Sequence, residues 1–231
     1  MPQSNTLWSR IYRRIRDEFF PPTHPFDQTT GVDTSGRINL RRLGIGSPNR
    51  KHGSDYHGVE PGRFADALAD IPEDLSVYTF VDLGSGKGRA LLMADKWGFR
   101  RIIGVEFSPK LVQVAQVNLK KLKLNNAEVL VRDAGEFRFP EEPLVVFMYN
   151  PFGPEVLKRV LDNLRIHPGP LYLTYVNPLQ DETIRVHDSL QPLVPRSCGK
   201  MHTIWYREAA ISHRPEMPPE LLSDRLRTSA R

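Results

Sequence analysis

A glycine-rich turn follows the first strong strand pattern in this chain and has the composition of a turn that binds a small ligand. It reads Asp82-Leu-Gly-Ser-Gly-Lys-Gly88. Glycine has no Cβ atom, so the turn can be tight and the backbone can approach a ligand closely. The helix predicted to follow offers unpaired N–H groups to a carboxylate or a phosphate. The turn therefore predicts a binding site for the anionic part of a ligand, formed by Asp82, Gly84, Gly86 and Gly88.

Polar residues also stand at the ends of the next three predicted strands. Glu106 comes eighteen residues after Gly88, and its carboxylate can accept hydrogen bonds from two vicinal ribose hydroxyls at once. Asp133 follows the third strand, where its carboxylate can accept from the exocyclic amine of adenine. The fourth strand ends in Asn150-Pro151-Phe152. Because ligands of open α/β sheets bind at the carboxyl ends of the strands, these residues together predict a nucleoside with a short anionic arm.

Each of these features has a simpler structural explanation when it is taken alone. Glycine-rich turns are often only turns, Glu106 fits a solvated strand end, and Asp133 fits a helix cap. Their order at successive strand ends favours a nucleoside site. The spacing G-x-G-x-G differs from the G-x-G-x-x-G of nicotinamide-binding proteins, and no G-x-x-x-x-G-K-[ST] phosphate loop occurs. A nicotinamide site or a P-loop nucleotide site is therefore not expected.

The elements that would position these residues alternate between strands and helices from residue 61 onward. The predicted strands cover 77–81, 101–106, 128–131, 144–149 and 171–176, with two short strands near 193–194 and 203–207. The predicted helices cover 61–70, 89–97, 109–122, 154–166 and 181–190. This alternation predicts an α/β domain with a parallel sheet and helices on both faces.

Three regions are expected along the chain. Residues 1–60 form an extension, in which an amphipathic helix over 1–20 precedes a long loop with a run of basic residues at 37–51. Loops of that length are uncommon unless they are lids, binding loops or disordered, so this one is a candidate lid or phosphate-binding segment. Residues 61–210 form the α/β domain, and residues 211–231 form a peripheral tail.

Composition excludes several classes of protein. Hydrophobic residues make up 39% and charged residues 26% of the 231 residues, which is ordinary for a globular domain and unlike collagen, coiled coils or disordered chains. No apolar run reaches the ~18 residues of a membrane span, and residues 1–20 lack the apolar core of a secretory signal. A single cysteine, Cys198, and seven scattered histidines predict neither a disulfide nor a metal site. We therefore expect a cytoplasmic protein without a metal, whose oligomeric state the sequence leaves open.

The four motifs together resemble those of the class I methyltransferases that depend on S-adenosylmethionine. The glycine-rich turn resembles their first motif, Gly104-Val-Glu106 their acidic ribose site, Asp133-Ala134 their adenine site, and Asn150-Pro151-Phe152 their catalytic loop. The resemblance covers about residues 56–207. It implies a doubly wound, Rossmann-like sheet of seven mostly parallel strands, with S-adenosylmethionine as cofactor. It also implies that Tyr56 lies over the cofactor, and a packing role is the alternative for this residue.

The fourth motif indicates the reaction. Amine-methylating members of the family have Asn or Asp, then Pro-Pro, then an aromatic residue, whereas Asn150-Pro151-Phe152 has one proline fewer. The motif is similar in length to the Asn-Asn-Phe of the non-SET lysine methyltransferases, with Pro151 in place of their second Asn. The Asn150 oxygen can accept N–H bonds, and Phe152 can stack on a base or face a developing cation. The resemblance thus implies methyl transfer to a nitrogen of a protein lysine or another amine. A nucleic-acid base as acceptor and a non-catalytic scaffold that binds S-adenosylmethionine stay as alternatives.

Overall fold

A large sheet with helices on both faces forms the body of the protein in the computed structural model, which describes residues 23–194 and 201–208. The strands are β1 Arg37–Ile38, β2 Tyr56–His57, β3 Thr79–Leu83, β4 Arg101–Glu106, β5 Ala127–Val131, β6 Leu144–Tyr149, β7 Leu171–Val176, β8 Gln191–Val194 and β9 His202–Arg207. The helices are α1 Pro25–Thr30, α2 Pro61–Ala69, α3 Arg89–Ala94, α4 Pro109–Lys121, α5 Pro154–Arg165 and α6 Asp181–His187. Strands β1 and β2 pair separately as a small antiparallel sheet.

The strand order of the large sheet creates a crevice beside β3. Its seven strands lie in the order β5-β4-β3-β6-β7-β9-β8. The strands from β5 to β7 in this order run parallel, and β9 is antiparallel to both β7 and β8. Because β4 lies on one side of β3 and β6 lies on the other, the order reverses at β3, and ligands bind at such a reversal. The expected seven-stranded, mostly parallel, doubly wound sheet is confirmed.

Apolar side chains on both faces of the sheet explain why these strands are central. Every residue of β3 is buried, and so are residues 144–148 of β6. Helices α2, α3 and α4 share one core with the sheet, which includes Phe64 and Val112. Helices α5 and α6 share a second core on the other face, which includes Leu157. A parallel strand that is covered on both faces needs no polar side, which is why β6 reads as an unbroken apolar run.

Two helices end three residues earlier than expected from the sequence, and the other three expected helices end one residue earlier. Helix α6 ends at His187 instead of residue 190, because Asp188 has a left-handed backbone with φ +54°. The helix expected over 89–97 is divided into α3 and a 3-10 turn, Asp95–Trp97, which ends at Gly98 with φ +74°. A left-handed residue cannot continue a right-handed helix, so each of these positions stops its element.

The described part of the extension, residues 23–60, is built of short elements packed on the domain. Helix α1 comes first, and two 3-10 turns, Leu40–Arg42 and Pro48–His52, lie between β1 and β2. A small apolar cluster fastens this segment to α4 through Leu40, Leu43, Ile45, Tyr56 and Leu111. The sequence predicts a plain loop here because turns this short show no helical or strand period. The helix expected over 1–20, the tail over 211–231 and Cys198 lie outside the described residues, and the domain boundaries stay predictions.

Candidate functional site

A cavity of about 720 Å³ opens at the carboxyl ends of β3, β4 and β6, where the strand order reverses. The predicted site residues that line it are Tyr56, Gly84, Glu106, Asp133, Ala134, Asn150, Pro151 and Phe152. Asp82 lines a smaller adjoining cavity of about 280 Å³, whereas Gly86 and Gly88 line neither of the two. We refer to the larger cavity as the cleft.

The glycine turn leaves no space for a side chain at two positions. Gly84 has φ +80°, and a Cβ atom there would lie 2.5 Å from the Cβ atom of Pro151. Gly86 has φ +54°, and a Cβ atom there would lie 2.4 Å from two ring carbons of Tyr56. Both positions combine a left-handed backbone, which favours glycine, with a very close neighbour. Gly86 therefore shapes the turn without lining the cleft. Gly88 shapes the turn as the N-cap residue of α3.

Glu106 is buried at the end of β4 and lines the cleft. Its Oε1 atom accepts a hydrogen bond from the Ser108 N–H at 2.8 Å, and its Oε2 atom accepts one from the Gly86 N–H at 3.0 Å. Burial raises the pKa of Glu106 to about 7. Because each carboxylate oxygen can accept two hydrogen bonds, Glu106 keeps the capacity to accept two further donors such as ribose hydroxyls.

The smaller cavity lies beside the glycine turn and is lined by several polar side chains. Asp82 lines it, and burial, followed by the negative charge of Glu106, raises the pKa of Asp82 to about 8. Ser85 and Arg89 line the same cavity, and the buried Ser85 Oγ has no hydrogen-bond partner among the described residues. Buried polar atoms are rarely left without a partner, so this cavity fits the short polar arm of a ligand whose nucleoside part occupies the cleft.

Asp133 has more internal partners than the sequence suggests. Its Oδ1 atom accepts a hydrogen bond from the Gly135 N–H at 3.0 Å, which caps the 3-10 turn Ala134–Glu136. Its Oδ2 atom accepts hydrogen bonds from the Ser47 hydroxyl and, at 3.0 Å, from the Asn49 side chain. Both donors belong to the extension, so the extension contacts the residue for which an adenine contact is expected. An adenine amine at Asp133 would share this carboxylate with them.

Asn150, Pro151 and Phe152 form a loop at the end of β6 that is bound to the extension on one side. Asn150 has φ +43°, an uncommon backbone that Asn tolerates better than most residues do. The Pro151 carbonyl accepts a hydrogen bond from the Ser54 N–H at 2.9 Å, and Phe152 forms a β-bridge with Gly53. The Phe152 side chain is 8% exposed and belongs to the second core. The ring is therefore mostly packed against apolar neighbours, which leaves little of its surface for stacking.

Buried polar contacts hold Tyr56 and the glycine turn against the extension. The Tyr56 hydroxyl donates to the Thr34 carbonyl at 2.6 Å, and the Arg89 guanidinium donates to the same carbonyl at 2.8 Å. Lys87 Nζ forms an ion pair with Asp33 Oδ1 at 2.6 Å. Tyr56 thus lines the cleft and also packs on the turn, and its contact with the cofactor stays a prediction.

Three further residues at the site, Tyr175, His57 and Arg89, are not recognised by the sequence analysis. The Tyr175 hydroxyl donates to Asn150 Oδ1 at 2.9 Å. His57 lines both cavities, its ring centroid lies 6.1 Å from that of Tyr149, and burial, followed by the positive charge of Arg89, lowers its pKa. Arg89 directly follows the glycine turn, and this adjacency is a signal that could have pointed to it. Tyr175 and His57 have no comparable signal because their roles depend on contacts between distant elements.

Comparison with known proteins agrees with this arrangement. Residues 80–167, which run from β3 through α5, match the family model described as a methyltransferase domain. Over these residues the chain is similar to a methyltransferase domain. The resemblance to methyltransferases that the motifs suggest is confirmed over this part of the chain. The glycine-rich turn, Glu106 and Asn150-Pro151-Phe152 all fall within the matched residues.

Individual relatives are distant from this chain. It is 36% identical over 63 residues to human (Homo sapiens) EEF1A lysine methyltransferase 2, which covers 27% of this chain and 25% of that protein. The aligned part thus spans a quarter of that relative. A solved RNA methyltransferase from Salinibacter ruber in complex with S-adenosyl-L-homocysteine is 20% identical, with a TM-score of 0.47 and coverage of 70% of this chain and 98% of the other. A TehB-like SAM-dependent methyltransferase from Corynebacterium glutamicum is 16% identical, with a TM-score of 0.44 and coverage of 65% and 87%.

Among residues 23–194 and 201–208, no helix is both long enough and apolar enough to cross a membrane. The same residues contain no cluster of three or more histidine, cysteine or acidic side chains that could bind a metal ion.

Proposed function

We propose that this protein transfers the methyl group of S-adenosylmethionine to a nitrogen atom, with a protein lysine or another amine as the first candidate acceptor. The observation that carries the proposal is the position of the Asn150 carboxamide, which lines the same cleft as Glu106 and the glycine turn. A nitrogen acceptor next to Asn150 would therefore share one cavity with the cofactor. The similarity over 63 residues to a lysine methyltransferase supports the choice of a lysine.

The cofactor fits this chain in two parts. In our proposal Glu106 accepts hydrogen bonds from both ribose hydroxyls, and Asp133 and Ala134 contact the adenine. The amino-acid end of the cofactor occupies the smaller cavity, where the Arg89 guanidinium and the unpartnered Ser85 hydroxyl can bind a carboxylate. Gly84 lines both cavities and has no side chain, so the cofactor can approach its backbone closely. Tyr56 closes the site from the side of the extension.

The residues of the chain have a limited part in such a reaction. S-adenosylmethionine supplies a methyl group that is already activated by its positively charged sulfur. The protein therefore needs to align the acceptor nitrogen with the methyl group and to exclude water. Asn150 can accept an N–H bond from the acceptor and so direct the nitrogen lone pair towards the methyl carbon. A lysine ammonium must first lose its proton. His57 lines the cleft, where burial lowers the pKa of its imidazole and so favours the neutral ring that can accept this proton.

A second candidate acceptor, a nucleic-acid base, is favoured by the charge around the cleft. Four exposed basic residues line the cleft or lie within two residues of a lining position: Arg41, Arg50, Lys51 and Arg132. None of the four forms an ion pair with a described residue. We call them the basic rim. Unpaired cations at these positions would attract a phosphate backbone and would repel the ammonium group of a lysine.

Calorimetric titration with S-adenosylmethionine and S-adenosylhomocysteine tests the cofactor, with NAD and ATP as controls. Micromolar affinity for the first two ligands alone is the expected result, and failure of both to bind would refute the proposal. Incubation of lysate protein and lysate RNA with a labelled methyl donor then tests the acceptor. Label in lysine side chains supports the first candidate, and label in RNA bases supports the second. Cofactor binding without transfer to either fraction would favour the non-catalytic scaffold.

A further inference from the structure

The hydroxyl group of Tyr175 connects the core of the protein to the proposed methyl-transfer loop. Tyr175 lies in β7, the parallel neighbour of β6, and is paired in register with Met148, two residues before Asn150. Its Oη atom donates to Asn150 Oδ1 at 2.9 Å. The side chain of Tyr175 is 1% exposed and belongs to the second core. Close packing around the ring therefore fixes the position of the hydroxyl that Asn150 contacts.

The direction of this hydrogen bond follows from a neighbouring one. The Gln180 N–H donates to Tyr175 Oη at 3.3 Å, and a backbone N–H can act only as a donor. The hydroxyl proton must therefore point elsewhere, and Asn150 Oδ1 is the acceptor within reach. In the flipped carboxamide, Nδ2 would face Tyr175 and the buried hydroxyl proton would have no acceptor there, a situation that folded proteins avoid. The contacts thus select one of the two orientations of the carboxamide.

The selected orientation determines what Asn150 offers to the cleft. One lone pair of Oδ1 accepts from Tyr175, and the other is available to a ligand. The Nδ2 group donates to none of the described residues, so it is also available. The left-handed backbone of Asn150, with φ +43°, places this side chain at the cleft and not in the core.

We infer that Tyr175 is a positioning residue, which holds the Asn150 carboxamide in the orientation that presents a hydrogen-bond acceptor to the methyl-accepting nitrogen. The inference rests on the proposed function, in which Asn150 contacts that nitrogen. Without the Tyr175 hydroxyl, the carboxamide can turn over and present two N–H donors in place of an acceptor. An acceptor nitrogen that meets these donors is not aligned with the methyl group, and misplacement by about 1 Å can reduce the rate of such a reaction by about 100-fold.

Nuclear magnetic resonance of the side-chain amide of Asn150 tests the restraint directly in the full chain. The signal is assigned by its loss in Asn150→Asp. In the unmodified protein we expect the amide of Asn150 to be as rigid as the backbone, whereas the exposed Asn125 is mobile and is the internal reference. In Tyr175→Phe we expect the Asn150 signal to broaden or to become mobile. If the side-chain amide of Asn150 is as mobile as that of Asn125 in the unmodified protein, the inference is overturned. This measurement does not require the variant to fold.

A matched variant on the same strand controls for the loss of a tyrosine hydroxyl. Tyr172 also lies in β7, but its hydroxyl donates to Glu73 at 3.4 Å, away from Asn150. Tyr172→Phe should leave the Asn150 signal unchanged. Equal effects of Tyr172→Phe and Tyr175→Phe on this signal would show a general loosening of the strand and would overturn the specific role.

Rates provide the second measurement, on the fraction that accepts label in the methyl-transfer screen. Tyr175→Phe should lower kcat about tenfold or more, with the KM for S-adenosylmethionine within twofold of its original value. In the Asn150→Asp background both side-chain oxygens are acceptors, so the same substitution should have a much smaller effect. A loss of equal size in both backgrounds would overturn the inference. If the unmodified protein does not bind the cofactor, the proposed function is refuted. The NMR result would then still show whether Tyr175 restrains the Asn150 carboxamide.

Discussion

Gly86→Ala tests whether the glycine turn is fixed by contact with Tyr56. The added Cβ atom would lie 2.4 Å from two ring carbons of Tyr56. The ring cannot retreat easily, because its hydroxyl donates to the Thr34 carbonyl at 2.6 Å and the residue is buried. The left-handed backbone at Gly86 costs an alanine about 1–2 kcal/mol, and overpacking in a buried site typically adds about 1–3 kcal/mol. We therefore expect the free energy of unfolding to fall by about 2–5 kcal/mol.

Gly98→Ala is the matched control for the backbone term. Gly98 has a similar left-handed backbone, with φ +74°, but a Cβ atom there would meet no atom within 4 Å. This variant should lose only the ~1–2 kcal/mol of the backbone term. Urea unfolding followed by circular dichroism gives both values. The difference between the two variants measures the steric contact, and replacing Tyr56 with leucine in the Gly86→Ala chain should recover most of that difference.

The same substitution should weaken cofactor binding. The Gly86 N–H donates to Glu106 Oε2 at 3.0 Å, so a shift of the turn also moves the carboxylate that we assign to the ribose. We expect the calorimetric Kd for S-adenosylmethionine to rise at least tenfold in Gly86→Ala and to stay unchanged in Gly98→Ala. If Gly86→Ala destabilises the protein no more than Gly98→Ala does, the ring contact has no energetic importance and the reasoning fails.

Three further predictions concern the carboxylate, the loop and the rim of the cleft. The pKa of Glu106 is raised to about 7, so the folded chain disfavours the ionised carboxylate. We therefore expect the contribution of Glu106 to the free energy of unfolding to fall as pH rises from 4.5 to 7. Cofactor affinity should rise between pH 6 and 8 as Glu106 ionises. Glu106→Gln should remove this pH dependence and weaken binding about tenfold, because hydrogen bonds to a charged acceptor are stronger. Calorimetry at several pH values measures the affinity of both proteins, and an affinity of the unmodified protein that does not change with pH would count against the assignment of Glu106 to the ribose. Asn150→Ala should abolish methyl transfer in the labelled-methyl assay. The Kd for the cofactor should stay within about threefold of its original value, because the Asn150 carboxamide is assigned to the acceptor. Methyl transfer by this variant would contradict that assignment. If the acceptor is RNA, the log Kd for a labelled single-stranded RNA, measured by fluorescence anisotropy, should depend on log salt. Arg50→Ser should make the slope of this dependence shallower by about 0.7, whereas Arg100→Ser, at the opposite edge of the sheet, should leave it unchanged. Equal slopes for the two variants would exclude the basic rim as a phosphate contact.

Patterns of local origin made the fold predictable from the sequence. Strand β6 appears as an unbroken apolar run because both of its faces are covered, and strands alternate with helices because a parallel sheet needs a crossover between neighbouring strands. The positions of Gly84, Glu106 and Asn150 at strand ends could be read from this alternation. In a parallel sheet the strand ends share one edge, so their meeting in one cleft follows from the topology.

The extension could not be predicted in the same way. Its turns are too short to show a period, and its contacts with the domain join residues far apart in the chain. The hydrogen bonds from Ser47 and Asn49 to Asp133 are an example, because they use three small polar residues that fit loops of any kind. The sequence therefore predicts a candidate lid, and this stays a prediction. The structure adds that residues between positions 40 and 57 pack on the domain and line the cleft.

The sequence by itself determined the order of the elements, the resemblance of the domain to methyltransferases and the chemical type of each residue at the strand ends. These properties depend on period, composition and spacing, which are local. Only the tertiary structure decided that Gly86 faces the ring of Tyr56, that Asp133 is shared with the extension, and that Tyr175 orients Asn150. These contacts join residues that lie between 25 and 86 positions apart. Such pairs meet through packing of the whole core, so the sequence of one segment does not indicate which distant residue it will contact.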